Sequence, residues 1–169
     1  MAEAGLGSAF GAPLFELQAA VQWREDLRAR GQKVAFTNGV FDIVHAGHVA
    51  YLAWAREQGD ALLLGLNADA SVRALKGSER PLVPFADRAA VLGALRSVDA
   101  VVGFSERTPE VLLDAIRPDV HVKSAQYRLE DLPERSVVLR YGGEIRLAPH
   151  LRGRSTTDIV AEIRRRYGT

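Results

Sequence analysis

The sequence contains no cysteine among its 169 residues. This absence excludes disulfide bonds, thiolate metal ligands and a cysteine nucleophile. It also fits a reducing compartment, where disulfide cross-links do not persist. We therefore expect a cytoplasmic protein.

Long apolar runs are missing too. No stretch approaches the roughly 18 apolar residues that a membrane span needs, and the first four residues carry no cation of the kind that opens a secretory signal. Cationic and anionic residues number 22 and 21, which gives a net charge of +1. Because such a balance provides no general attraction to polyanions, we expect neither nucleic acid nor a membrane as a partner.

Lysine is scarce, since only Lys33, Lys76 and Lys123 stand beside 19 arginines. Apolar residues make up 47% and charged residues 25% of the chain, values that are typical of a globular domain. The length allows one domain of ordinary size. We predict a mobile N-terminal tail over residues 1–13 and a single domain over residues 14–169.

Helical and strand patterns alternate along the chain. Strands are predicted over 33–37, 61–67, 100–104, 120–123 and 144–148, and helices over 14–30, 46–58, 69–75, 85–96, 109–116, 132–141 and 156–167. This alternation predicts an α/β fold, a Rossmann-like doubly wound sheet of about five parallel strands with helices on both faces. Ligands of such sheets bind beyond the carboxyl ends of the strands.

The residues after the first predicted strand carry the strongest local signal, the string Gly-x-Phe-Asp-x-x-His-x-Gly-His over residues 39–48. His45 and His48 are three residues apart and share one face of a helical turn. The start of that helix offers backbone N–H groups and the positive end of the dipole, which suit phosphate oxygens. Half of a zinc site is the alternative, but further ligands do not lie nearby in sequence.

Two lysines also lie where a ligand of this sheet is expected to bind. Lys76 opens a loop rich in Gly and Pro, which could close over a phosphate, and Lys123 ends the fourth strand. A solvated surface lysine is the alternative for each. Arg88 is either a further cation of the site or the partner of a nearby carboxylate such as Asp87 or Asp99.

Hydroxyl residues open the last predicted helix. Ser155 is a candidate N-cap, and Thr156 and Thr157 follow it. One hydroxyl is enough to cap a helix, so three in succession favour a phosphate-binding helix start over simple capping.

The string over residues 39–48 resembles the nucleotidyltransferase superfamily of cytidylyltransferase-like enzymes. Further segments resemble the adenylyltransferase domain that makes ADP-heptose, in the same order over about residues 33–165. They are TNGVFDIVHAGHVAYLAWAREQGD, NADASVRALKG, RPLVPFADRAAVLGALRSVDAVV, TPEVLLDAIRPDVHVK, GGEIRLAP and GRSTTDIV. Glycerol-3-phosphate cytidylyltransferase is a more distant relative that shares the first and last motifs.

The resemblance implies an enzyme that transfers AMP from ATP to a sugar 1-phosphate, a heptose 1-phosphate, and releases pyrophosphate. The attack is in line and forms no covalent enzyme intermediate, so the protein positions two polyanions and neutralises charge. Mg²⁺ would bridge the nucleotide phosphates and need few protein ligands. The partners implied are a nucleoside triphosphate and a phosphorylated sugar, and the resemblance allows a homodimer.

The resemblance also implies roles for individual residues. The catalytic residues would be His45, His48, Lys76 and Arg88, and the acceptor would be bound by Lys76 and Lys123. The nucleotide would be bound by the two histidines together with Val40, Phe41, Gly47, Asn67, Asp69, Gly153, Ser155, Thr156 and Thr157. No side chain is assigned to a metal, and we expect Asp42 to have a structural role at the turn.

Two departures from the family patterns bear on the substrates. Ser124, Ala125 and Gln126 stand where the heptose enzymes have Gly-Gly-Asp, which leaves the acceptor open. His150 and Leu151 stand where the cytidylyltransferases have Arg-Thr, which favours ATP over CTP. The alternatives are a cytidylyl- or adenylyltransferase for another phosphorylated acceptor, such as glycerol 3-phosphate, and a catalytically silent nucleotide-binding module.

Overall fold

Six parallel strands form one sheet in the computed structural model, which describes residues 11–149 and 155–168. The strands are β1 (Leu14–Phe15), β2 (Val34–Gly39), β3 (Ala61–Asn67), β4 (Ala100–Phe104), β5 (Val120–Ser124) and β6 (Glu144–Ala148). Their order across the sheet is β1-β4-β3-β2-β5-β6. The predicted Rossmann-like α/β fold with a doubly wound parallel sheet is confirmed.

Seven helices connect or flank the strands in the described residues. They are α1 (Leu17–Ala29), α2 (Ala46–Arg56), α3 (Asp69–Lys76), α4 (Phe85–Gly93), α5 (Glu110–Ile116), α6 (Arg135–Arg140) and α7 (Thr156–Tyr167), with a 3₁₀ turn at Leu129–Asp131. None of the helices described combines the length and apolar character needed to cross a bilayer.

The first strand was not predicted. Residues 14–15 pair with Val101 and Val102 at the edge of the sheet, so the first helix begins at Leu17 and not at residue 14. Ala12 and Pro13, which were expected in the tail, are also bonded, because the Ala12 N–H donates to Gly93 and the Pro13 carbonyl accepts from Val101. A two-residue strand is too short for its alternation to be recognised. The rest of the predicted tail, residues 1–10, lies outside the described residues.

The centre of the sheet is covered on both faces. All seven residues of β3 are buried, as the continuous apolar run over residues 61–67 predicts. One apolar cluster includes Leu62, Leu64 and Leu66 with residues of α2 and α4, and the other includes Leu63 with residues of α1, α5 and α6. Helices therefore enclose the centre of the sheet on both faces.

The chain order reverses at β2, which pairs with β3 on one side and with β5 on the other. The crossovers from these two sides leave in opposite directions and open a crevice above the carboxyl ends of β2 and β5. Residues 37–48 and the end of β5 therefore face the same space.

Three aspartates stabilise the opposite, amino end of the sheet. Each lies just before a strand and accepts a backbone N–H from the strand beside it at 2.7 Å, Asp60 from Lys33, Asp99 from Leu62 and Asp119 from Val34. Asp119 also binds Arg24, whose guanidinium is buried, at 3.0 Å. These carboxylates satisfy strand N–H groups that the parallel ladder leaves without an acceptor.

Asp119→Ala is expected to lower the free energy of unfolding by about 2–3 kcal/mol, because it removes the acceptor of the Val34 N–H and leaves the buried Arg24 with only the Arg117 carbonyl and no carboxylate. Urea unfolding followed by circular dichroism measures the change. Asp114→Ala is the matched control, since Asp114 pairs with Arg140 on the exposed surface and should alter stability little. Equal stability of the two variants would contradict the anchoring role of Asp119.

Candidate active site

A cavity of about 620 Å³ opens at the carboxyl end of the sheet, a volume typical of small-ligand sites. Eleven residues predicted for the site from the sequence line it: Val40, Phe41, His45, Gly47, His48, Asn67, Lys76, Lys123, Ser155, Thr156 and Thr157. Tertiary structure therefore gathers segments that are more than 100 residues apart in the chain. Gly153, also predicted for the nucleotide, lies outside the described residues.

His45 is the N-cap of α2. Its backbone is extended, and its Nδ1 accepts hydrogen bonds from the backbone N–H groups of Gly47 at 3.1 Å and His48 at 3.4 Å. A histidine that accepts at Nδ1 carries its proton on Nε2 when the ring is neutral. Capping thus fixes the tautomer of His45 and makes Nε2 the donor of the ring.

His48 is stacked on His45, with ring centroids 3.8 Å apart and an interplanar angle of 21°. The edge of Phe41 packs against it at 5.1 Å. Burial, and then the neighbouring His45, lowers the pKa of His48 from 6.5 to about 4. The ring is therefore neutral at physiological pH, and an arriving anion would favour its protonated form.

The backbone at Phe41 is held in the left-handed region, with φ 47°. Such a conformation is uncommon for a non-glycine residue and marks a position constrained by its surroundings. Gly39 makes room for it, because a Cβ there would lie 2.7 Å from the Phe41 ring. The turn between β2 and α2 thereby places the Phe41 ring under His48.

Asp42 fixes the loop that follows Lys76, residues 77–84. Its carboxylate accepts the N–H groups of Leu82 and Val83, each at 2.8 Å, and a bond from Arg80. Burial alone would raise the pKa of Asp42, but these donors outweigh it and hold the pKa below its usual range. This arrangement agrees with the structural role expected for Asp42.

Arg88 was predicted either as a cation of the site or as the partner of a carboxylate. Its guanidinium is buried and donates to the carbonyls of Val40, Asn67 and Val83 and to the carboxylate of Asp69. Neither Arg88 nor Asp69 lines the cavity. These contacts join three segments of the site, and a direct role of Arg88 in the reaction stays a prediction.

The start of α7 closes one side of the cavity. The Ser155 hydroxyl accepts from the Asp158 N–H at 3.0 Å, which makes it the predicted N-cap. Thr156 donates to the carbonyl of Ile43 at 3.3 Å and so ties α7 to the turn before α2. Thr157 is exposed and lines the cavity with its neighbours.

A buried ionic cluster lies at the end of β5. The Lys123 ammonium contacts Glu134 at 3.0 Å and Asn38 at 3.3 Å, and the same Glu134 oxygen lies 3.1 Å from Nε2 of His121. Asn38 and Glu134 line the cavity and were not predicted. Asn38 is the penultimate residue of β2 and could have been found by its position near the strand end. Glu134 lies within the helix predicted over 132–141 and immediately precedes α6, and no motif marks it in the sequence.

Arg80 and Arg107 also line the cavity without having been predicted. Arg107 lies three residues beyond β4 and is exposed, so the rule that ligands bind at strand ends points to it. Because arginine is common in this sequence, the position of a single arginine gives no signal that it belongs to the site.

The side chains that line the cavity can be compared with those that a Mg²⁺ site would need. Among the described residues there is no group of three or more His, Cys, Asp or Glu side chains that could hold a metal ion. Asp42 and Glu134 are engaged by protein donors. These side chains are compatible with a Mg²⁺ ion that is bound mainly by nucleotide phosphates and water, a mode that needs few protein ligands.

The sequence matches the family model described as "Cytidylyltransferase-like" over residues 36–161. The bifunctional protein HldE of Pseudomonas aeruginosa (strain LESB58) is 53% identical over 142 residues, which are 84% of this chain and 30% of that protein. The HldE protein of Geobacter metallireducens is 50% identical over 141 residues, 83% of this chain and 29% of that protein. The chain therefore spans about 30% of the length of these curated relatives.

A solved structure shares the fold. The lipopolysaccharide core biosynthesis protein from Thermoplasma volcanium GSS1 superposes with a TM-score of 0.59 and 22% sequence identity, over 72% of this chain and 98% of that one. At this identity the likeness concerns the arrangement of helices and strands alone.

Asp42→Ala is expected to speed amide hydrogen exchange at Leu82 and Val83, because their N–H groups lose the carboxylate that accepts them. Hydrogen-exchange mass spectrometry of peptides covering 77–84 measures this. Asp87→Ala, an exposed carboxylate in the first turn of α4, is the control and should leave that exchange unchanged. Unaltered exchange in Asp42→Ala would show that other contacts hold the loop.

The low pKa of His48 makes stability depend on pH. Since the folded ring titrates near 4 and the unfolded ring near 6.5, the unfolded state binds more protons between these values. The stability that neutral His48 provides is complete above pH 6.5 and is lost as the pH falls towards 4. Urea unfolding should therefore show a shallower acid decline in His48→Gln than in the unsubstituted protein, and parallel declines would contradict the lowered pKa.

Proposed function

The chain belongs to the cytidylyltransferase-like family, a family of nucleotidyltransferases, and on this basis we propose that it transfers AMP from ATP to a heptose 1-phosphate and releases pyrophosphate. The observation that carries the proposal is the stacked pair His45 and His48 at the N-terminus of α2, above the point where the strand order reverses. That place combines imidazole donors, backbone N–H groups and the positive end of a helix dipole. These are groups that recognise a phosphate chain.

The triphosphate would lie between the starts of α2 and α7. Nε2 of His45 donates a hydrogen bond to a phosphate oxygen, and His48 gains a proton as negative charge approaches. The hydroxyl of Thr157 and the N–H groups that begin α7 supply further donors on the other side. Thr157→Ala would then weaken nucleotide binding.

In the reaction itself, an oxygen of the acceptor's phosphate attacks the α-phosphorus of ATP. A new P–O bond forms as the bond between the α-phosphorus and the oxygen bridging to the β-phosphate breaks, and pyrophosphate leaves with that electron pair. The protein forms no bond to either substrate. Its contribution is to hold the groups in line and to stabilise the charge on the transferred phosphoryl group, which the two imidazoles do best when both donate.

Mg²⁺ would enter with the nucleotide and neutralise part of its charge. Residues of this chain would bind the phosphate oxygens whose charge the ion does not neutralise. Lys76 suits this role because its flexible side chain is exposed beside the 77–84 loop and can move with a bound phosphate. Lys123 is assigned to the acceptor.

The proposed substrate also bears on where the protein acts. ATP as a substrate supports the cytoplasm as the compartment. The homodimer stays a prediction of the resemblance.

Heptose 1-phosphate is proposed as the acceptor because the matching segments run in the order of the ADP-heptose-forming domain over most of the chain. The test is a pyrophosphate-release screen that crosses ATP, CTP, GTP and UTP with heptose 1-phosphate, other sugar 1-phosphates and glycerol 3-phosphate. Release with ATP and heptose 1-phosphate well above every other pair is the expected result. Release with CTP and glycerol 3-phosphate would assign the other branch of the family, and nucleotide binding without release would indicate a silent module.

His45→Ala and His48→Ala are each expected to lower kcat by about 10²-fold or more, by loss of a donor that acts on the transition state. Steady-state pyrophosphate release measures the rate, and circular dichroism checks that the fold is retained. Arg30→Ala, at the exposed end of α1, is the control and should keep the full rate. Unaltered turnover in both histidine variants would remove the pair from the mechanism.

A further inference from the structure

The cavity has a distinct end at β5, which we name the β5 subsite and define by Asn38, Lys123, Tyr127 and Glu134. Lys123 leaves the sheet there with a side chain only 11% exposed. Its ammonium lies 3.0 Å from Glu134, 3.3 Å from Asn38 and 5.1 Å from the centre of the Tyr127 ring. Within the described residues, the two oxygens use two of its three N–H groups.

Glu134 cancels the charge of Lys123. Its side chain is 2% exposed, and one carboxylate oxygen accepts from both His121 and Lys123. Burial raises the pKa of Glu134, but these two partners outweigh it and lower the pKa to about 2. The β5 subsite therefore offers hydrogen-bond donors and acceptors but no net positive charge.

His121 helps to hold Glu134 in place. Its ring is fully buried, burial lowers its pKa, and its Nε2 donates to the Glu134 carboxylate. Two residues of β5, His121 and Lys123, therefore bond the same carboxylate oxygen and fix it beside the Lys123 ammonium.

The positive charge of the cavity lies elsewhere. Lys76 ends α3, the helix after β3, and Arg107 lies three residues beyond β4, and both are exposed on the lining. Both therefore come from the side of the sheet that carries β3 and β4, whereas Lys123 comes from β5 on the other side of β2. A ligand with phosphate at one end and uncharged polar groups at the other matches this distribution.

We propose that the β5 subsite binds the hydroxyl groups of the acceptor's sugar and not a phosphate, an inference that rests on the proposed function. Lys123 donates to a sugar oxygen, Glu134 accepts from a hydroxyl, and the half-exposed ring of Tyr127 packs against the C–H face of the sugar. A phosphate in this place would be repelled by Glu134 about as strongly as it is attracted by Lys123.

Glu134→Gln tests the assignment because a sugar subsite and a phosphate subsite predict opposite changes in the affinity for heptose 1-phosphate. The variant removes the carboxylate charge and keeps its shape. If the subsite binds hydroxyls, heptose 1-phosphate should bind about 10-fold more weakly while methyl phosphate, which has no hydroxyl groups, binds as before. If Lys123 binds phosphate, the uncovered ammonium should bind both ligands more tightly. Isothermal titration calorimetry of the folded variant measures both affinities.

Glu130→Gln is the matched control, since Glu130 is an exposed carboxylate paired with Arg128 near the same segment. It should leave both affinities unchanged. Equal or tighter binding of heptose 1-phosphate by Glu134→Gln would overturn the subsite while leaving the proposed function in place. Failure of the unsubstituted protein to bind any sugar phosphate would instead overturn the proposed function, and this proposal with it.

A second variant keeps the test valid if Glu134→Gln does not fold. Tyr127 is 51% exposed, so Tyr127→Leu removes the ring without disturbing the core. Heptose 1-phosphate should bind several-fold more weakly and methyl phosphate as before. Tyr167→Leu, which changes a 79% exposed tyrosine on α7, is the control. Unchanged sugar-phosphate binding in Tyr127→Leu would count against the sugar subsite.

Discussion

The guanidinium of Arg88 is the contact on which the geometry of the site depends. It is buried and joins the carbonyl of Val40, just after β2, to that of Asn67, at the end of β3, while its Nε holds the carbonyl of Val83. Three segments that approach one another only in the folded chain are thus tied to a single planar group. Breaking this buried cluster would leave several polar groups unsatisfied, so it fixes the relative positions of these three segments at the mouth of the cavity.

A second constraint is the distribution of charge. The histidine pair is held close and partly buried, which keeps His48 neutral until an anion arrives. The β5 subsite is held neutral in a different way, by an ion pair. The other positive groups of the cavity are exposed side chains such as Lys76 and the starts of helices. Under the proposed function, this separation would let one small cavity bind the phosphate and the sugar of an acceptor with different groups.

Much of this arrangement could be predicted from the order of residues. The alternating patterns predicted the parallel sheet, and the rule for strand ends predicted that His45, His48 and Lys123 would lie near one another. Lys76 was placed with them by its loop and by the family resemblance. Other features have specific reasons for escaping prediction. The edge strand at Leu14–Phe15 is too short to show a period, and the partners of Arg88 are mostly backbone carbonyls, which no side-chain pattern reveals. Glu134 was missed because its importance comes from Lys123 and His121, both on β5.

The amino-acid sequence alone determined the class of fold, the family and the chemistry of the groups at the start of α2, because these follow from local periodicity and from a string of ten residues. The tertiary structure decided which charges remain available to a ligand. Arg88 and Lys123 carry the same formal charge as Lys76, yet each lies largely buried against a carboxylate, Asp69 for Arg88 and Glu134 for Lys123. Solvation and pairing depend on distances between segments far apart in the chain, and those distances exist only once the sheet has formed.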